Sequence, residues 1–177
     1  TGNQLAVFRN SAHIVTDDMR RLAGEVHFSE TAFIMSDEAR DGSYSMRVFT
    51  PKEEIPFSGH AVLGAAYVLQ AELLGPTCTQ LAVDLPCGRV QVDFQNRYRS
   101  VDSVWMTHLP PSYGDSLDRG TAVAALGLTA ADVADELPVQ VVSTGMPFIM
   151  IPLCSREALS RARVDPERYA ALAALAG

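Results

Sequence analysis

Residues 47–74, RVFTPKEEIPFSGHAVLGAAYVLQAELL, constrain the fold more than any other stretch of the chain. Met46–Phe49 reads as a strand, apolar except for Arg47. Pro51 ends it and opens a charged turn, Lys52–Glu54. Pro56 and Phe57 lead into Ser58-Gly59-His60, and Ala61–Leu69 then runs without a charge or a proline. Ala and Leu are strong helix formers, so a central helix is predicted over 59–74. It is apolar on every face, which predicts burial all round rather than a place on a surface. It is too short to span a bilayer. A wholly buried helix in a small domain must be wrapped by a sheet or barrel, because it needs another layer to bury against.

The start of such a helix matters chemically. Ser58, Gly59 and His60 lie where the first backbone N–H groups have no helical partner. Those donors and the helix dipole suit an anion such as a carboxylate. Gly59 lets a ligand approach the backbone closely, and His60 adds a titratable ring. A second reading stands beside this one: Ser58 merely caps the helix and His60 is a satisfied boundary residue.

Composition removes several classes of function. Of the 177 residues 47% are hydrophobic, enough for one good core and part of a second. The net charge of −7 leaves no basic footprint for nucleic acid, and no Lys/Arg-rich amphipathic face suggests a membrane surface. There is no secretory pattern and no transmembrane stretch. Cys78, Cys87 and Cys154 are unevenly spaced and form no CxxC pair. Neither a disulfide framework nor a metal site is indicated, and a reducing cytoplasm fits best. The start at Thr1 without methionine and the Ala-rich end, Tyr169–Ala176, suggest a piece of a larger polypeptide.

In chain order, Gly2-Asn3 is a turn and Leu5–Phe8 a short strand. Thr16 or Asp17 is placed to cap a helix over Asp18–Gly24. Val26–Met35 reads as a strand, with His27 solvent-facing and Phe33 to Met35 its clear apolar part. Glu30 is the odd residue, a carboxylate between Phe28 and Phe33. Either it turns to solvent, or it is held in a pocket, where burial disfavours the charged form and suits general acid–base work. After the central helix, Gly75-Pro76 breaks the chain. Gln80–Leu85, Arg89–Phe94 and Val101–Thr107 read as strands, the last carrying Trp105. Strands on both sides of one helix predict an α+β fold with the helix inside a curled sheet. No GxGxxG or P-loop is present, so no nucleotide cofactor is indicated.

Residues 110–114, PPSYG, read as a linker that divides the chain into 1–109 and 110–177. The second part reads as helices over Leu117–Leu126 and Ala130–Asp135, strands over Val139–Ser143 and Phe148–Leu153, and helices over Arg156–Arg161 and from Pro166 onward. Asp84 and Asp102 read as ordinary solvent-facing residues.

Taken together, these motifs resemble the PhzF family, the phenazine-biosynthesis isomerase-like proteins with a diaminopimelate-epimerase fold. Gly2-Asn3-Gln4-Leu5-Ala6-Val7-Phe8 resembles the family's opening GNP-type turn and strand, with Gln4 where proline is common. Phe28-Ser29-Glu30-Thr31-Ala32-Phe33 resembles its SETxF motif. Phe49-Thr50-Pro51 and Phe57-Ser58-Gly59-His60-Ala61 resemble its FTP and GH motifs, and Val142–Pro147 resembles the turn that opens its second domain. Val26-His27 departs from the usual lead into SETxF, and His27, near Glu30, is a place where substrate specificity could differ, beside its reading as a solvent-facing strand residue. The family's second-domain DPATGS-like motif is not in this sequence.

The resemblance implies two pseudo-symmetric domains, each wrapping a barrel-like sheet around a central helix, with the second incomplete here. It implies that Glu30 is the acid–base residue and that Gly59 and His60 line the substrate pocket, beside Ser58. Ser58 stands where the epimerases carry the first of two cysteines. Serine is far too weak an acid to replace a thiol without an activating base, so a two-thiol racemase is disfavoured. The expectation is a cofactor-independent isomerase, holding no metal, that shifts a proton and a double bond on a small unsaturated amino- or imino-carboxylate in specialised metabolism. A homodimer is implied, with the rest of the second domain on the same polypeptide or on another chain. The rival expectations are a hydrolase or lyase on the same scaffold and a non-catalytic carboxylate-binding or interaction module.

Overall fold

The computed structural model describes residues 2–97 and 100–175, and it divides into two compact units, Thr1–Leu109 and Pro110–Gly177. The first is built around helix α2, Gly59–Leu69. Ala61, Val62, Ala65, Ala66 and Leu69 are buried, as their apolar character demands. The helix continues into a single π-helical turn, Gln70–Leu74. Gly75 ends it at φ 78°, where its N–H returns to the Gln70 carbonyl at 2.8 Å.

Strands β1 (Leu5–Phe8), β2 (Glu30–Ile34), β3 (Ser43–Phe49), β4 (Glu54–Ile55), β5 (Gln80–Leu85), β6 (Gly88–Arg97) and β7 (Ser100–Thr107) form one seven-stranded sheet. Its order is β1-β2-β3-β5-β6-β7, with β4 branching from β3. β1 runs parallel to β2 and β3 parallel to β5; the remaining pairs are antiparallel. Helix α2 packs against β1, β2, β5 and β7, so the mixed sheet curls around it. Among the described residues β1 and β7 do not pair, and the curl stays a half-barrel. The expected burial all round therefore fails at Tyr67, which is 49% exposed.

Helix α1, Thr16–Val26, covers the opposite face of β2 and β3. Alternation along β2 sends Thr31 and Phe33 toward α1 and leaves Glu30, Ala32 and Ile34 on the side of α2. Phe33 stacks on Phe8 at 5.0 Å and meets Phe49 edge-on at 5.5 Å, with Met19 and Ala23 of α1 against them.

Four local expectations are corrected. Val26 ends α1 and His27 adopts the left-handed region at φ 57°, so these residues form a helix terminus rather than a strand; the His27 N–H satisfies the Ala23 carbonyl. Val15 occupies the cap position of α1 and no side chain caps it; Thr16 lies inside the helix, its hydroxyl accepting from Arg47 at 3.1 Å. Residues 112–116 form strand β8 (Ser112–Ser116) rather than linker, because β9 (Gln140–Ser143) offers its backbone for pairing. Residues 130–132 make only a 3-10 turn, ended by Val133 in extended geometry.

In the second unit β10 (Pro147–Met150), β9 and β8 make a three-stranded sheet. Helices α3 (Arg119–Ala124), α4 (Arg156–Arg161) and α5 (Pro166–Leu175) complete it. Its core is Ala122, Val123, Ala125, Leu128, Val133, Val139 and Leu172. Thr129 and Asp132 form a reciprocal capping box, and Ser155 caps α4. Among the described residues no helix is long and apolar enough to cross a membrane.

Candidate active site

The site begins with the hairpin that delivers the chain to α2. The Thr50 hydroxyl accepts from the N–H groups of Lys52 and Glu53, and the Thr50 N–H donates to the Glu53 carbonyl at 2.8 Å. Arg47 grips the Glu54 carboxylate with two nitrogens, at 2.7 and 2.5 Å. The turn is thereby fixed, and Pro56-Phe57 places Ser58 in extended geometry directly before the helix. The first intrahelical bond runs from the Val62 N–H to the Ser58 carbonyl at 3.1 Å. The N–H groups of Gly59, His60 and Ala61 precede that bond and have no helical acceptor.

Glu30 reaches this point from β2. Its Oε2 lies 3.0 Å from His60 Nε2. The carboxylate is 19% exposed and the ring 33% exposed, so both are partly shielded from solvent. Although the two atoms are at ion-pair distance, Oε2 is buried and makes no aligned hydrogen bond. On its other side the ring meets Ser58: Oγ and Nδ1 are 3.2 Å apart. Ser58 caps no backbone N–H. The simple capping reading of Ser58 is thus replaced by a contact with the imidazole.

Glu30, Ser58, Gly59 and His60 therefore sit together, on two elements distant in sequence. Asn3 joins them, its Nδ2 3.5 Å from His60 Nε2. Sequence reasoning missed Asn3 as a site residue, although the Gly2-Asn3 turn was itself the available signal. Met106 of β7 approaches Gly59, and the His108 ring lies 5.6 Å from that of Phe57. His27, exposed at the end of α1, makes none of these contacts. The cysteines are free, and burial pushes the Cys87 thiol up, which keeps it neutral and a poor nucleophile. Asp84 pairs with Arg89 at 2.7 Å. Among the described residues no group of three or more His, Cys, Asp or Glu side chains is placed to hold a metal ion.

A carboxylate thus lies beside an imidazole, next to free N–H donors at the start of an enclosed helix, groups of the kind that move protons and hold anions. The fold is shared with a probable proline racemase of Agrobacterium radiobacter, on which it superposes with a TM-score of 0.56 at 11% identity, covering 80% of this chain and 42% of that one. More specifically, the sequence profile of the PhzC-PhzF family, described as phenazine biosynthesis-like protein, matches residues 1–175, and the chain belongs to that family. The predicted epimerase PA4716 of Pseudomonas aeruginosa has a TM-score of 0.83 at 31% identity, over 99% of this chain and 62% of that one. The uncharacterized isomerase YddE of Salmonella typhimurium is 34% identical over 86% of this chain and 51% of its own length. The trans-2,3-dihydro-3-hydroxyanthranilate isomerase of Pseudomonas aeruginosa is 30% identical over 93% of this chain and 56% of its own. The chain spans about half the length of the curated relatives it matches.

Proposed function

We propose that this chain carries the acid–base centre of a cofactor-independent isomerase. The observation that carries the reading is the approach of Glu30 to His60 at the start of α2. Glu30 takes a proton from one carbon of the substrate and returns it at another, so the double bond moves and the mass is unchanged. The substrate is a small unsaturated amino- or imino-carboxylate of specialised metabolism, the class to which the compound named for the Pseudomonas aeruginosa relative belongs. The free N–H groups near Gly59 and His60 hold its carboxylate, and the His60 ring hydrogen-bonds a substituent or the Glu30 carboxylate. The proposal includes a homodimer, and residues beyond this half-barrel, on the same polypeptide or another chain, that close the site.

The test replaces Glu30 with Gln in the protein as isolated. Trans-2,3-dihydro-3-hydroxyanthranilate and related carboxylates are incubated in deuterated water. The wild type is expected to place deuterium on carbon at constant skeletal composition. Glu30→Gln is expected to stop this while keeping the circular dichroism spectrum. Undiminished exchange in that variant would remove Glu30 from the mechanism. A product mass changed by water or by loss of a group would instead indicate a hydrolase or lyase.

A further inference from the structure

Ser58 occupies the position from which serine ordinarily caps a helix. Here it makes no cap bond. It is 8% exposed, and its hydroxyl is turned to Nδ1 of His60 at 3.2 Å. The opposite ring nitrogen, Nε2, lies 3.0 Å from Glu30 Oε2. The contact is close without being an aligned hydrogen bond, and an ionised carboxylate is acceptor-only, so a bare Nε2 at that distance would leave two acceptors side by side. A neutral imidazole that carries its proton on Nε2 has a bare Nδ1, which needs a donor. A serine hydroxyl supplies one.

We infer that Ser58 is a positioning residue: its hydroxyl donates to Nδ1 of His60 and keeps the ring proton on Nε2, facing Glu30. The second partner of an imidazole fixes its tautomer and orientation. Here that partner lies two residues earlier on the same turn, so the helix start that frees the backbone N–H groups also sets the ring. Asn3 presents Nδ2, a donor, 3.5 Å from Nε2, and the Nε2–H form requires that amide to be turned so that its oxygen faces the ring instead. This inference rests on the reading of Glu30 as the acid–base group, since that group is what the Nε2 proton serves.

The experiment uses the 15N shifts of the His60 ring in substrate-free protein, which need no ligand. Wild type is expected to show the Nε2–H form. Ser58→Ala is expected to shift His60 toward the Nδ1–H form or a mixture, and to lower the rate of deuterium exchange about tenfold with little change in KM. Ser58→Thr, which restores a hydroxyl, is expected to recover both. A wild-type Nδ1–H form, or a Ser58→Ala ring with an unmoved tautomer, would overturn the inference. If the tautomer moves as expected while Glu30→Gln retains full exchange, the acid–base reading falls and the assignment of Ser58 to His60 stands.

Discussion

The Glu30 carboxylate and the His60 imidazole are brought to 3.0 Å by two elements that never pair with each other, a strand and the first turn of the helix it encloses. The contact adds little to stability, because it is not an aligned hydrogen bond and the imidazole is one-third exposed. The pair is therefore expected to matter for chemistry more than for stability. His60→Ala should lower proton exchange by about a hundredfold, in the range of positioned acid–base partners. Its urea midpoint should stay close to wild type. A large loss of stability with unchanged exchange per folded molecule would show that the ring is a packing residue.

Gln70 makes the opposite case. It is buried, at 2% exposure, in the π-helical turn that ends the central helix. Its amide nitrogen donates to the Cys78 carbonyl at 2.8 Å and to Asn96 Oδ1 at 3.0 Å, and Asn96 in turn donates to the Pro76 carbonyl at 2.9 Å. This network ties the helix end to the loop before β5 and to β6. Gln70→Leu removes the donor to the partly buried Asn96 Oδ1, while the Cys78 carbonyl keeps a bond from Asn96 Nδ2 at 3.3 Å, so the loss is about 1 kcal/mol. A lowered urea midpoint at unchanged slope is expected, with the start of α2 undisturbed.

Acid should weaken the second unit. Backbone and hydroxyl bonds from Thr129, with Arg161 nearby, hold the Asp132 carboxyl below its usual range. The Thr121 N–H and hydroxyl do the same for Asp118. Both carboxyls have folded values lower than unfolded ones. Their contribution is thus fully present above the ordinary carboxylate value of about 4 and is lost as pH falls through the folded values. Thermal melting followed between neutral and acid pH should show this loss, and Asp132→Asn should flatten the slope. An unchanged acid slope in that variant would mean that Asp132 titrates alike in both states.

What was legible in the sequence followed physical strength. The run Ala61–Leu69 leaves no polar face, so its place inside the curl could be read directly, and the alternation of Gln80–Leu85 gave β5 its bounds. Glu30 stood out as a charge among aromatics, yet its face was ambiguous until the register Leu5↔Glu30 placed it beside α2. Strand β8 was hidden because Pro-Pro-Ser-Tyr-Gly has turn chemistry, and only pairing with β9 overrides it. The end of α1 was hidden for the converse reason: β-branched Val26 favours a strand locally, while packing of Met19 and Ala23 extends the helix. The contact of Ser58 with His60 had no sequence signal, since serine at that position normally caps.

Gly59 separates ligand binding from folding. A Cβ added there would meet Met106 Cε at 3.6 Å, an ordinary contact, so the fold has room for it. Alanine is also the better helix former, by up to about 1 kcal/mol in a helix interior. Gly59→Ala is therefore expected to melt at the same temperature as wild type or slightly above it. If the N–H groups of the first turn receive the substrate carboxylate, the added methyl stands where that group must approach. Affinity should then fall by about tenfold, equivalent to roughly 1.4 kcal/mol. Isothermal titration with a non-reacting anthranilate-type carboxylate reads the binding, and calorimetric melting reads the fold. Unchanged affinity in a stable variant would move the carboxylate away from the helix start, while leaving Glu30 and His60 free to act from another substrate pose.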